Sequence, residues 1–95
     1  MNTEVKANIN ALCETVSFSM ETFQLVRGSE DALLDMLEET FAKYYRSSDE
    51  EYREGALAIA LEMCVAWNNT VDKLGDSAFH KDALAKRFLR NIWEE

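Results

Sequence analysis

Between Gly55 and Trp67 the chain reads GALAIALEMCVAW, with Glu62 as its one charge and no other polar side chain, although 29% of all residues are charged. A helix at the surface of a globular protein normally keeps one polar face, so a stretch that is apolar all round is expected to be enclosed by other elements. Gly55, Ala56, Ala58, Ala60 and Ala66 keep this helix thin and permit close approach by its neighbours. Its inward seam reads Tyr52, Ala56, Ile59, Met63, Trp67 and Leu74. Glu62 falls about 80° off that seam on a wheel of 3.6 residues per turn. It either occupies a narrow wet strip or, if buried, must be hydrogen-bonded, because an unpaired buried charge is too costly to keep.

Three more helices are expected around this one. Val5, Ile9, Leu12, Val16, Met20, Phe23 and Val26 recur at helical spacing, with Thr3 as cap and Gly28 as a left-handed stop. The same helix carries a thinner second stripe, Ala11, Phe18 and Leu25, at seven-residue spacing. Ser29 followed by Glu30 and Asp31 predicts an N-cap for a second helix whose apolar face is Leu33, Leu34, Leu37, Phe41, Tyr44 and Tyr45, ending near Arg46. Ser48 with Glu51 has the form of a capping box and opens the third helix, which runs from Asp49 to Leu74 and is closed by Gly75. The fourth helix begins at Asp76, Ser77 or Asp82, with Ser77 preferred, and presents Leu84, Phe88, Leu89, Ile92 and Trp93. Proline is absent, which leaves the long helices uninterrupted. The fold class is therefore all-α, a compact four-helix bundle in one domain spanning 1–95, with two longer and two shorter helices and antiparallel neighbours.

At 95 residues one core forms without staples, and Cys13 and Cys64, each inside an apolar helical pattern, read as buried reduced thiols. The N-terminal MNTEVKANIN lacks the basic and apolar regions of a signal peptide, and no apolar run approaches the length of a membrane span, so a soluble cytoplasmic chain with no membrane association is expected.

Several chemistries lack their parts. A di-metal carboxylate bundle needs two Glu-x-x-His pairs, and the chain has one histidine, His80, preceded three residues earlier by Ser77. Cys13, Cys64 and His80 have no zinc-ligand spacing, and the glycines at 28, 55 and 75 form no phosphate loop. Cys64 sits among Glu62, Met63 and Val65, with nothing to stabilise a thiolate. A small helical enzyme that grips a dicarboxylate needs several cations, whereas the first helix has only Lys6 and Arg27, at its extremities. No catalytic residue, metal or cofactor is expected.

The remaining signal is charge. The net charge is −8, which repels phosphate backbones and disfavours direct nucleic-acid binding. Residues 1 to 54 hold 12 Asp and Glu against 5 Lys and Arg, whereas residues 76 to 95 hold 4 of each. Asp31, Asp35, Glu38 and Glu39 line the second helix, and Glu50 and Glu54 follow at the start of the third; together they form a candidate acidic surface for a basic protein partner. Lys81, Lys86, Arg87 and Arg90 on the fourth helix read as a solvated face, with Trp93 as an ordinary anchor. The stripe Ala11, Phe18 and Leu25 is a fourth wall of the bundle, a homodimer seam or a docking groove, and a homodimer is preferred. The functional expectation is a non-enzymatic protein-interaction module, a regulator, adaptor or inhibitor. Its sharper form blocks a nucleic-acid-handling protein, as a phage anti-defence or nuclease-immunity factor does. The alternative is a bundle that binds an apolar small molecule or lipid around Met20, Met63 and Trp67.

Overall fold

The computed structural model describes residues 3–93, with side-chain environments given for 6–91. Four helices follow one another: α1 (Thr3–Phe23), α2 (Ser29–Tyr45), α3 (Glu50–Leu74) and α4 (Ala83–Trp93). Successive helices alternate in direction. The start of α1 meets the end of α2 through Asn8 Nδ2 and the Tyr44 hydroxyl at 3.1 Å, and the Tyr44 and Tyr52 rings meet edge to face across the α2–α3 turn.

Space is filled differently from a square bundle. α1 packs chiefly on α3, and the two run parallel, because Ser17 meets Thr70 and Glu21 meets Lys73 in step. α2 and α4 also run parallel, with Glu30 by His80, Asp35 by Arg87 and Arg46 by Asn91. α3 touches all three other helices. It is central, but it is not enclosed. The Cα envelope is 39 × 29 × 16 Å, and two helices at 8–10 Å spacing with ~2.3 Å backbone radii fill the short dimension. With α1 on one flank and α2 and α4 on the other, the back of α3 faces solvent. Leu57, Leu61 and Val65 lie exposed there with Glu62, which corrects the expectation of a helix covered all round.

The core is built as the helical periods require. Val16, Met20, Phe41, Ala56, Ile59, Met63, Trp67 and Leu84 have no exposed surface, and Leu33, Leu34, Leu37, Phe79 and Phe88 close around them. Phe41 contacts both Tyr45 and Phe88, which ties α2 to α4. Trp67 has its indole N–H bonded to the His80 carbonyl at 2.8 Å and its ring edge-on to Phe79, so a donor that burial would orphan is satisfied.

The helix ends differ from the sequence expectation in instructive ways. α1 stops at Phe23, and Phe23 and Val26, expected in the seam, are exposed around the turn. Gly28, at φ 84°, is the residue before α2, a left-handed position that suits glycine. Ser29 is already helical, and its hydroxyl donates back to the Phe23 carbonyl at 3.0 Å. Asp49, not Ser48, caps α3, accepting from the Glu51 N–H at 2.9 Å. α4 begins at Ala83 instead of Ser77, because the preceding segment buries Phe79 and fastens to two other elements. The Ala78 N–H donates to the Gln24 carbonyl, and Asp82, at φ 64°, exchanges hydrogen bonds with the Asn68 amide at 2.9 Å in both directions. Leu89, expected in the core, is exposed. The expected roles of Thr3, Val5, Ile92 and Trp93 lie outside the described side chains. Among the described residues no helix is long and apolar enough to cross a membrane.

Candidate protein-docking face

The acidic residues singled out in the sequence divide into two groups. Asp31, Asp35 and Glu38 face α4. Arg87 Nη1 donates to Asp35 at 2.7 Å and to Glu38 at 3.1 Å, and Arg87 Nη2 lies 3.6 Å from Asp31. Arg90 Nη2 and Asn91 Nδ2 also donate to Glu38, at 3.1 and 2.6 Å. Arg87 is half-buried, and its guanidinium is pushed further toward the charged form by its bond to Asp35, against the opposing effect of partial burial. The expectation that Arg87 belongs to a freely solvated face is thus corrected: Asp31, Asp35 and Glu38 of α2 are answered by Arg87 and Arg90 of α4, whereas Lys81 pairs with Asp72 of α3. Glu39, Glu50 and Glu54 lie elsewhere on the surface, exposed and without a cation partner among the described residues.

The second stripe of α1 points outward. Phe18 is 71% exposed, Leu25 83% and Ala11 is also exposed, so this stripe is no fourth wall of the bundle. Because α1 and α3 are parallel and packed by their inner faces, a groove of about 520 Å³ runs along their outer junction. Its floor is made of small residues, Cys13, Ser17, Ala66 and Thr70, and its banks are Phe18 and Val65. The Thr70 hydroxyl meets that of Ser17 at 3.1 Å and donates to the Ala66 carbonyl at 2.7 Å, so the floor's buried polar atoms are satisfied. Leu61 and Leu57 continue the Val65 bank back along α3 at four-residue spacing, both more than half exposed.

Carboxylates rim this groove. Glu14 and Glu21 line the α1 side and Glu62 the α3 side. Glu21 is bonded to Lys73 at 2.6 Å, whereas Glu14 and Glu62 have no cation partner among the described residues. Partial burial, and next the Glu62 charge, push the Cys13 thiol above its ordinary range. Both cysteines are free and half-buried, less covered than their apolar helical patterns predict. Burial, then the Asp82 carboxylate, push Cys64 up to about 11, the opposite of what a nucleophile needs. His80 is exposed, with its Nδ1 3.1 Å from Glu30. Met20, Met63 and Trp67, the residues expected around an internal ligand, are fully buried in the core.

The stripe with Phe18 and Leu25 is legible in the sequence, whereas Leu57, Leu61 and Val65 are hidden within the apolar stretch expected to be enclosed. Their spacing at i, i+4 and i+8, opposite the Ile59–Met63–Trp67 seam, was the available signal. Comparison with protein-family models, curated proteins and solved structures finds no match to this chain.

Proposed function

We propose that this chain is a non-enzymatic protein-interaction module that engages a basic partner surface through the α1–α3 face. The observation that carries the reading is the apolar groove with its acidic rim: exposed Phe18 and Val65 on its banks, with Leu61 and Leu57 continuing from Val65 along α3, beside the carboxylates Glu14 and Glu62, which have no cation partner among the described residues. Contiguous exposed apolar side chains with a polar rim mark association surfaces. Charge of one sign on that rim selects a partner of the other sign and speeds its approach. The α2 carboxylates are the weaker candidates, since Arg87 and Arg90 already neutralise them.

A second copy of the chain is the competing occupant. In an isologous pair the same patch faces itself, which brings Glu14 and Glu62 of each copy toward like charges in a protein of net charge −8. That cost favours a basic heterologous partner over the homodimer. The test places a photo-crosslinking phenylalanine analogue at position 18, and separately at position 39, in cells that make the protein. The expected result is an adduct from position 18 to a lysine- and arginine-rich segment of another protein, lost in Glu14→Lys/Glu62→Lys. Adducts only from position 39, or only to a second copy of the chain, would overturn the reading.

A further inference from the structure

Resting on that reading of the α1–α3 face, we infer that the element it receives is a basic amphipathic α-helix, laid along the groove as an additional helix of the bundle. The groove lies between two parallel helices whose backbone hydrogen bonds are made internally, so it offers no strand edge to an extended segment. Spare hydroxyls nearby are turned inward in the same way, Thr15 donating to the Ala11 carbonyl and Thr22 to that of Phe18. Affinity must therefore come from side chains entering a trough, which is how an amphipathic helix binds.

The shape suits one helix. The groove is lined from Glu62 to Thr70 on α3 and from Cys13 to Glu21 on α1, each stretch about 12 Å long at 1.5 Å per residue, and Leu61 and Leu57 extend the Val65 ridge beyond it toward the start of α3. Ridges of this kind are what a third helix packs against, at about 8–10 Å between axes, and the small floor residues Cys13, Ser17 and Ala66 leave room for its apolar side chains. α1 has α3 as its main neighbour, so the outer junction is the open position in the assembly. Charge fixes the composition. Glu14 and Glu62 flank the groove on opposite sides, and Glu54 lies one turn beyond Leu57 on the back of α3, so the occupant needs Lys or Arg on both edges of its apolar stripe. Among the described residues that line the groove none is a cation, and Lys73, one turn beyond Asn69, is engaged by Glu21.

The test titrates the full chain with a five-turn peptide of leucine and lysine arranged with helical periodicity, a scrambled peptide of the same composition, and a leucine–glutamate version. Fluorescence anisotropy reads affinity and circular dichroism reads helix formation. The patterned lysine peptide is expected to bind and become helical, with affinity at least about tenfold above the scrambled one and no binding by the glutamate version. Glu14→Lys/Glu62→Lys is expected to weaken it by about tenfold or more, while Glu39→Lys/Glu50→Lys, an identical change in net charge, changes it by less than about threefold. Phe18→Ala keeps all charges and is expected to weaken it by a similar factor to the rim pair. Equal binding of the scrambled peptide, still dependent on Glu14 and Glu62, would overturn the helical occupant while leaving the docking face standing. Equal sensitivity to both charge pairs would overturn the face itself, and no binding by any peptide would overturn the helix inference.

Discussion

Replacing Arg87 with methionine should detach the charge network that holds α4 to α2 while keeping most of the hydrocarbon stem. Arg87 serves three carboxylates of unequal burial. Asp31 and Asp35 are more than two-thirds exposed, so their pairings are worth about 0.2–1 kcal/mol each. Glu38 is only 15% exposed, and a hydrogen bond between charged groups there contributes about 1.5–3 kcal/mol. The lower end applies, because Arg90 and Asn91 stay on Glu38 after the substitution. Removing the cation also leaves carboxylates at i, i+4 and i+7 on α2, adding a few tenths of a kcal/mol of repulsion. The expected loss is about 2–3 kcal/mol at low salt. For a domain with a urea slope near 1 kcal/mol per molar, the midpoint falls by about 2–3 M. Urea is the right denaturant, since guanidinium is itself a salt. In about 1 M sodium chloride, where the screening length is near 3 Å, the loss should shrink by roughly a third to a half as the exposed pairs fade. A double-mutant cycle with Asp35→Asn should return a coupling of about 0.2–1 kcal/mol. A loss below about 0.5 kcal/mol at low salt, or one of the same size at both salt concentrations, would refute the reasoning and assign α4 docking to Leu84 and Phe88 alone.

Trp67→Phe leaves the His80 carbonyl without its indole donor and opens a void beside Phe79, with an expected cost of about 2–4 kcal/mol read by chemical denaturation. Asn68→Ala removes both bonds that hold Asp82 at positive φ, so amide exchange over the first turn of α4 should accelerate by about tenfold while the centre of α3 stays protected. Cys64 adds an alkaline limb: the unfolded thiol ionises around its ordinary 9.0, while the folded one keeps its proton up to about 11. The native state then binds more protons in that window, so stability falls as pH rises from 9 to 11, and Cys64→Ala should flatten that fall in urea titrations at each pH.

The helical period made most of the fold legible. Ile59, Met63 and Trp67 on α3, Leu33, Leu37 and Phe41 on α2, and Val16 and Met20 on α1 were placed in the core by spacing alone, and all are buried. Composition misled at α3. An apolar stretch without polar relief reads as enclosed, but the arrangement of neighbours decides what is covered, and a body two helices thick leaves Leu57, Leu61 and Val65 outside. The start of α4 was hidden for a similar reason: Ser77 has capping chemistry, but tertiary bonds from Asn68, Trp67 and Gln24 hold residues 78–82 as a loop. The acidic stripe on α2 was visible as a pattern. That Arg87 and Arg90 answer it depends on α2 and α4 running parallel and adjacent, a pairing that loop lengths do not specify.

The central claim is that the α1–α3 face, and not the acidic stripe of α2, is where a basic partner sits. Amide chemical-shift mapping with the patterned leucine–lysine peptide at saturation tests it directly. The account predicts that the perturbed amides fall in residues 11–22 of α1 and 54–69 of α3, with Asp31, Asp35 and Glu38 little changed. Perturbations centred on residues 31–39, or spread evenly over all four helices, would contradict it.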